Sequence, residues 1–182
     1  MPQSEESNII LIKGCLAKDP KSQKALFDTF APTMYAICYR YAGNLDQAKD
    51  LLQDGFIKVF TKLNEFKFEG SFEGWLKRIF INNALEYLRK ENRQPDMIDV
   101  RDAHHLSSET FHFSGLDAQQ ILAQIQKLPN GYRTVVNLYI IEGYQHKEIA
   151  EMLGYTDSFV KVKKKRCMDT LREKVFKELG KN

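Results

Sequence analysis

The sequence predicts an all-α fold in which two small helical domains are joined by a flexible acidic linker. Apolar residues recur at steps of three or four through most of the chain, and no segment sustains the alternation of a half-buried strand. Residues 95–116 break this pattern, because they contain four acidic residues, one basic residue and no sustained period. The predicted domains are therefore residues 1–94 and 117–182, with residues 95–116 as the linker.

Length, charge and cysteine content limit the class of protein. The 182 residues suffice for one ordinary domain or two small ones, and no apolar run approaches the roughly 20 residues that cross a bilayer. The first residues, MPQSEESNIILIKG, place acids before a short apolar run and do not resemble a secretory signal. Three scattered cysteines form no CxxC pair, as expected for reduced thiols. A cytoplasmic protein without a membrane segment is predicted.

The charge is segregated along the chain. Residues 1–94 hold 14 basic and 12 acidic residues, and residues 117–182 hold 12 basic and 8 acidic residues. The acidic linker lies between these two mildly basic segments. Such a distribution favours a polyanion as partner over an acidic small substrate.

Four helices are predicted in the first domain, over residues 9–17, 21–42, 45–63 and 72–93. Pro32 is expected to bend the second helix or to start a new turn. Asn44 or Asp46 can cap the third helix, and Pro95 prevents continuation of the fourth.

The stretch Phe66–Lys90 is the most informative part of the first domain. A short loop with glycine and aromatic residues leads into an amphipathic helix, whose apolar residues from Phe72 onward predict one buried face. Cations can meet phosphates, amides can read base edges, and aromatic rings can stack on an unpaired base. The polar face carries Lys77, Arg78, Asn82, Glu86 and Arg89. These features suit a nucleic-acid strand, although an ordinary core helix with a solvated polar side remains an alternative at this point.

In the second domain, helices are predicted from Asp117 to Leu128 and from Tyr132 to Glu142, separated by Pro129-Asn130-Gly131. A short helix follows, with Ile149, Ala150 and Leu153 directed inward.

Gly154 permits a tight turn after this helix, and Thr156 can cap the next one. This pattern predicts a helix-turn-helix whose last helix enters a major groove. That helix is expected to expose Asp157, Ser158, Phe159, Lys161, Lys163, Lys164, Lys165 and Arg166. The alternative is any helical hairpin with a basic surface.

With both segments in this order, the chain resembles the extracytoplasmic-function group of bacterial sigma factors over residues 23–93 and 117–175. Residues 46–60 resemble the helix of region 2.2. Residues 70–79, followed by Asn82 and the segment 86–89, resemble regions 2.3 and 2.4. The helix-turn-helix corresponds to region 4.

The resemblance implies a subunit that binds core RNA polymerase, through the β′ clamp helices and the β flap, and recognises promoter DNA. It also implies melting of DNA at the minus 10 element and an anti-sigma factor as partner. By resemblance, the residues that bind core polymerase are Asp50, Gln53 and Asp54. The residues implied at the minus 10 element are Phe68, Ser71, Phe72, Lys77, Arg78, Asn82, Asn83, Glu86 and Arg89. The residues implied at the minus 35 element are Thr156, Asp157, Ser158, Phe159, Lys161, Lys163, Lys164 and Arg166.

Some residues depart from the family pattern. Glu86 stands where aspartate is usual, Phe68 where glycine is common, and Lys164 about where leucine is common. Phe159 either packs under the turn or touches a thymine methyl group, and Lys164 can extend its stem along the helix with its ammonium at a phosphate.

Two other functional classes fit the sequence less well. A stand-alone helix-turn-helix regulator is the second hypothesis, but it has no need for the Asp50, Gln53 and Asp54 face or for the aromatic loop. An enzyme has no support, because the sequence contains neither a P-loop nor a nucleophile elbow. No cofactor and no metal site are predicted, since His104, His105 and His112 lack partners at metal-ligand spacing.

Overall fold

The computed structural model describes residues 5–91 and 118–178 and divides the chain into two compact units, Met1–Glu91 and Asn92–Asn182. The described residues form helices and turns without a strand, which confirms the predicted all-α class. The predicted linker, residues 95–116, lies outside the described residues. Among the helices that the model describes, none has both the length and the apolar character needed to cross a bilayer.

The first unit is built from four helices. They are α1 (Glu5–Leu16), α2 (Pro20–Tyr41), α3 (Leu45–Lys62) and α4 (Phe72–Glu91), with a 3₁₀ turn at Leu63–Glu65. Helices α2, α3 and α4 pack against one another, and α1 packs on α2. The exposed Pro32 lies within α2, which is one helix and does not restart there.

Capping side chains begin two of these helices. Asp19 accepts hydrogen bonds from the backbone N–H groups of Lys21 and Ser22 at the start of α2, and the hydrogen bond from the Ser22 hydroxyl lowers the pKa of Asp19. Asn44 accepts a hydrogen bond from the backbone N–H of Gln47, at 2.8 Å, and so begins α3. Of the two predicted caps of α3, Asn44 is the one used.

Aromatic rings fill the core between α2, α3 and α4. The ring of Phe56 lies 4.7 Å from that of Phe27 and 5.2 Å from that of Phe80. Gly55 allows this close approach, because a Cβ atom at that position would lie 2.1 Å from Cε1 of Phe80. A side chain there would push α4 away from α3.

The second unit contains α5 (Ala118–Gln126), α6 (Asn130–Val136), a π-helical segment (Asn137–Ile141), α7 (His146–Leu153) and α8 (Asp157–Glu178). Its core consists of buried residues on α5, α6 and α8 and in the turn before α6, namely Ile125, Leu128, Val135, Val136, Cys167 and Leu171. The helix predicted over Tyr132–Glu142 differs from the observed one in its start and in the geometry of its second half. The observed helix begins at Asn130 and changes to π geometry, in which the N–H of Glu142 donates to the carbonyl of Asn137.

Candidate nucleic-acid interface

One surface of the first unit is the polar face of α3. Asp50, Gln53 and Asp54 are all exposed, and their spacing of three and four places them on one side of the helix. Ile57 continues this side by one turn and is 63% exposed. Sequence periodicity did not single out Ile57, because an apolar residue within a helix is normally assigned to the core. This face of α3 therefore presents two carboxylates, an amide and one apolar side chain to solvent.

The loop before α4 is stabilised by an aromatic cluster. Phe66 and Phe72 are buried, with ring centroids 5.1 Å apart, and Phe72 also packs on Phe30 and Trp75. Of the predicted loop contacts to DNA, only Phe68 and Ser71 are therefore on the surface. The Oγ atom of Ser71 accepts a hydrogen bond from the N–H of Gly74. Phe72 supports the loop from beneath.

Phe68 is 47% exposed and has a backbone φ of 58°, in the left-handed region that favours glycine. Its ring centroid lies 5.2 Å from that of Phe66. Left-handed geometry costs a non-glycine residue about 1–2 kcal/mol. This geometry provides a physical reason why glycine suits the position, and here it leaves an aromatic ring partly exposed on the loop.

The outer face of α4 carries a polar stripe. Arg78, Asn82, Glu86 and Arg89 are exposed at steps of four, four and three, as the sequence predicted. Lys77 is half-buried and pairs with Glu73 at 2.8 Å. The stripe can supply cations to phosphates and an amide and a carboxylate to base edges.

Asn83 was predicted on this DNA-facing side, and that placement is wrong. The side chain is 5% exposed, and its Nδ2 donates a hydrogen bond to the backbone carbonyl of Leu51 on α3, at 3.2 Å. Asn83 lies three residues after the buried Phe80, so it belongs to the face of α4 that packs on α3. Its hydrogen bond joins the two helices.

Glu86 is held by a cation from another helix. The Nζ atom of Lys58 on α3 lies 2.5 Å from Oε2 of Glu86, and this hydrogen bond lowers the pKa of Glu86. The carboxylate therefore stays ionised beside a positive charge. An acid on a DNA-binding face is tolerated more easily when a cation accompanies it.

The helix-turn-helix in the second unit has the predicted turn. Gly154 adopts a φ of 71°, and the N–H of Tyr155 donates to the carbonyl of Ala150. Thr156 caps α8, because its Oγ1 accepts a hydrogen bond from the N–H of Phe159 at 3.2 Å. Ile149 and Ala150 are buried, and the half-buried Leu153 packs on the core. These local predictions are confirmed.

Lys163 was predicted on the exposed side of α8, and this placement is also wrong. It is 3% exposed, and its Nζ lies 5.2 Å from the ring centroid of Tyr155 and 5.6 Å from that of Phe159. The residue follows the buried Val160 by three positions and precedes the buried Cys167 by four. It therefore lies on the core side, with its ammonium held near aromatic rings.

Two further residues have defined contacts in this unit. Phe159 packs on Tyr155, with centroids 4.7 Å apart, so the structure favours packing at the turn over contact with a base. Lys164 places its Nζ 4.4 Å from the ring centroid of Tyr139. His146 also stacks on the Tyr139 ring, with the ring centroids 4.9 Å apart. The pKa of His146 is lowered by burial and by Lys164.

Fewer side chains of α8 point outward than the sequence predicted. Between Asp157 and Arg166, the exposed residues of α8 are Ser158, Lys161, Val162 and Lys165, at steps of three, one and three. Lys161 pairs with Asp157 at 2.6 Å. Thr156 is exposed, whereas Asp157 and Arg166 are half-buried. Sequence reasoning did not single out Val162, because a valine in a helix is expected in the core.

The thiols and candidate metal ligands offer no further site in the described residues. Burial raises the pKa of Cys38 and of Cys167 to about 12, so neither is a reactive thiolate near neutral pH. The described residues contain no group of three His, Cys, Asp or Glu side chains that could hold a metal ion. His104, His105 and His112 lie outside the described residues.

Family models match both units in order. The Sigma-70 region 2 model matches residues 26–94, and the Sigma-70 region 4 model matches residues 118–171. Together they cover more than half of the chain. The first match contains α3, the loop and α4, and the second contains the helix-turn-helix.

Relatives and a solved structure agree with these matches. The ECF RNA polymerase sigma factor SigE of Mycolicibacterium smegmatis is 32% identical over 81% of this chain, which spans 59% of the length of that relative. The ECF RNA polymerase sigma factor SigW of Bacillus subtilis is 29% identical over 82% of this chain and 87% of the relative.

The sigma factor RpoE of Bartonella quintana, solved in complex with the anti-sigma factor NepR, has the same fold. Its TM-score is 0.51 at 23% identity, over 82% of this chain and 94% of that one. Two family models in the order of regions 2 and 4, together with ECF relatives along most of the chain, establish the family. The chain belongs to the extracytoplasmic-function group of RNA polymerase sigma factors.

Proposed function

We propose that this sigma factor binds core RNA polymerase through the exposed face of α3 and places α4 and α8 on the two promoter elements. The observation that carries the proposal is the position of the α3 face beside the α4 stripe within one compact unit. A regulator that binds only duplex DNA needs no such protein-binding face. The function is exercised in the cytoplasm, where core polymerase meets chromosomal DNA.

The α3 face has the composition of a protein contact. Asp50, Gln53, Asp54 and Ile57 are exposed on one side of a helix that α2 and α4 hold from behind. Two carboxylates and an amide can pair with basic and polar groups of a partner helix, and Ile57 can bury its side chain there. In the family this is the site of the β′ clamp helices.

At the minus 10 element, Phe68 and the α4 stripe are the proposed contacts. The partly exposed Phe68 ring can stack on an extruded base, and Ser71, which is exposed, borders the same loop. Arg78, Asn82, Glu86, Arg89 and Lys77 would follow the opened strand along α4. Flipping a base costs a few kcal/mol, which a preformed loop and phosphate contacts can offset. Phe72 and Asn83 support this surface from the core.

At the minus 35 element, α8 would enter the major groove of duplex DNA. Ser158, Lys161 and Lys165 are exposed at the appropriate spacing, and Thr156 and Asp157 lie at the start of the helix. Arg166 is available to a phosphate from its half-buried position. Phe159, Lys163 and Lys164 would position α8 through their aromatic contacts.

An anti-sigma factor is the proposed regulator, and it would cover the surfaces that bind polymerase and DNA. The RpoE structure supports this proposal, because that protein was solved in complex with an anti-sigma factor. No catalytic role is proposed. Binding energy alone accounts for holding the polymerase and the opened strand.

The test of core binding is gel filtration of the chain with purified core polymerase. The triple variant Asp50→Ala, Gln53→Ala and Asp54→Ala should lose most of the complex, because the clamp contacts are removed. The matched control Asp28→Ala, Asn64→Ala and Glu65→Ala also removes two exposed acids and one exposed amide, and it should associate normally. Equal association of both variants would reject the proposed face.

Run-off transcription on genomic fragments tests the complete function and returns promoter sequences. The complex with wild-type chain should initiate at defined sites, whereas core polymerase alone should not. A folded chain that binds duplex DNA but forms no complex with core polymerase would favour the stand-alone regulator.

A further inference from the structure

We propose that Val162 is a base-reading residue of α8 and contacts the C5-methyl group of a thymine in the upstream promoter element. This inference rests on the proposed function, because it requires α8 to enter the major groove. It adds a residue and a base chemistry that the family resemblance did not supply.

Val162 lies at the centre of the outward side of α8. It is 52% exposed, although it is apolar and lies well within the helix. Ser158 is four residues before it and Lys165 three residues after it, and both are exposed. The three side chains therefore project from the same side of the helix.

Its neighbours on the inward side are already engaged. The ammonium of Lys163 lies near the rings of Tyr155 and Phe159, and these two rings pack on each other. The ammonium of Lys164 lies over the Tyr139 ring. These residues hold α8 against the turn and the π-helical segment. Between Asp157 and Arg166, Val162 is the apolar side chain of α8 that is exposed, and among the described residues no ring or charge engages it as the Tyr155 ring is engaged.

The chemistry of valine limits what it can read. It has no donor or acceptor, so it cannot discriminate bases by hydrogen bonding. Its β-branched side chain has one strongly preferred rotamer in a helix, which fixes the position of both methyl groups. In the major groove, the apolar group presented by the four standard bases is the thymine methyl. The flanking lysines can hold the backbone phosphates on either side.

The experiment uses full-length chain with core polymerase and promoters recovered by run-off transcription. Each thymine of the upstream element is replaced in turn by deoxyuridine, which removes only the methyl group. At one thymine, this replacement should weaken wild-type binding about threefold to fivefold, the effect of one methyl group withdrawn from an apolar contact. The Val162→Ala complex should bind both duplexes with nearly equal affinity.

A matched control is Leu122→Ala, which truncates another partly exposed apolar side chain, on α5. It should keep the full discrimination against deoxyuridine. At the same position, the wild-type complex should bind 5-methylcytosine opposite guanine more tightly than cytosine opposite guanine, because these two pairs differ only in the methyl group.

Four results would overturn the inference while leaving the proposed function intact, and the first three concern the deoxyuridine duplexes. They are an upstream element without thymine, no position at which deoxyuridine matters, and an equal deoxyuridine effect in wild type and Val162→Ala. Uniformly weaker binding of Val162→Ala to all duplexes would also reject base reading. Failure of the wild-type complex to engage any promoter would overturn the proposed function as well.

Discussion

Asn82 and Asn83 are consecutive residues with different surroundings. Asn82 is exposed on the outer stripe of α4, whereas Asn83 is buried and donates to the carbonyl of Leu51. A rotation of about 100° per residue separates their directions on the helix. The first is exposed on the stripe proposed to bind nucleic acid, and the second joins two helices.

Replacing each asparagine by alanine should separate these roles. Asn83→Ala should lower the free energy of unfolding of the first unit by about 1–2 kcal/mol, because a buried hydrogen bond is lost. Asn82→Ala should leave that free energy nearly unchanged and weaken promoter binding. Urea unfolding followed by the fluorescence of Trp75, the single tryptophan, measures the stability of this unit. Equal stability of the two variants would contradict the assignment of Asn83.

At the scale of elements, the Lys58–Glu86 pair links α3 to α4 and so connects the two proposed binding surfaces of the first unit. Both side chains are partly exposed, so the pair contributes at most about 1 kcal/mol to stability. Its larger effect is to compensate a negative charge on the surface proposed to bind DNA.

Lys58→Met should therefore weaken binding to the minus 10 element by much more than it lowers stability. The methionine keeps an apolar stem but removes the hydrogen-bonded cation of Glu86, so that only the weaker effects of Lys90 and Arg89 remain. Adding Glu86→Gln should recover part of the lost affinity, because the repulsive charge is removed. Affinity of the polymerase complex for an opened promoter strand measures this effect. If the double variant binds no better than Lys58→Met, charge compensation is not the role of Lys58.

The contact between the π-helical segment, α7 and α8 contains a titratable group. His146 stacks on Tyr139, and its pKa is lowered mainly by burial, with further contributions from Lys164 and Lys161 that Asp157 opposes. A lowered pKa means that the unfolded chain binds a proton more readily than the folded chain. The folded state favours neutral His146. This contribution to the free energy of unfolding is complete above the ordinary histidine pKa of about 6.5, and it is lost as the pH falls below that value.

Hydrogen exchange of the full chain should detect this dependence. After correction for intrinsic rates, amides of α7 and of the first turns of α8 should open more often at about pH 5.5 than at about pH 7.5. His146→Phe keeps a ring against Tyr139 without a titrating nitrogen, so it should show a smaller change. The same pH dependence in both proteins would assign the effect to another group.

At the scale of the whole molecule, each unit has its own core. Helices α2, α3 and α4 enclose the aromatic core of the first unit, and the cluster around Val135 and Leu171 forms that of the second. A unit that buries its own apolar residues can fold without the other. Promoter affinity, by contrast, depends on both, because two covalently joined sites bind with a high effective concentration.

Fragments 1–91 and 118–182 should each show cooperative unfolding by circular dichroism. An equimolar mixture of them should bind a complete promoter with core polymerase more weakly than the intact chain, by roughly 10²-fold or more. In the intact chain, Asn83→Ala should shift only the transition that belongs to the first unit. Equal promoter affinity of the mixture and the intact chain would show that the connection contributes nothing.

The sequence by itself determined the helices, their principal caps and the family. Helical periodicity and short-range capping depend on residues a few positions apart, so Asn44, Gly154 and Thr156 were predictable from local chemistry. The order of the region 2 and region 4 motifs was sufficient to indicate a sigma factor.

Only the tertiary structure decided which residues at the border between the buried and exposed faces of these helices point outward. Asn83 turns to Leu51, Lys163 and Lys164 approach aromatic rings, and Val162 remains exposed. Periodicity defines directions around one helix but not where the neighbouring helix lies, and a long lysine side chain can place its charge several ångströms from its Cα. Packing between elements therefore determined the composition of the binding surfaces.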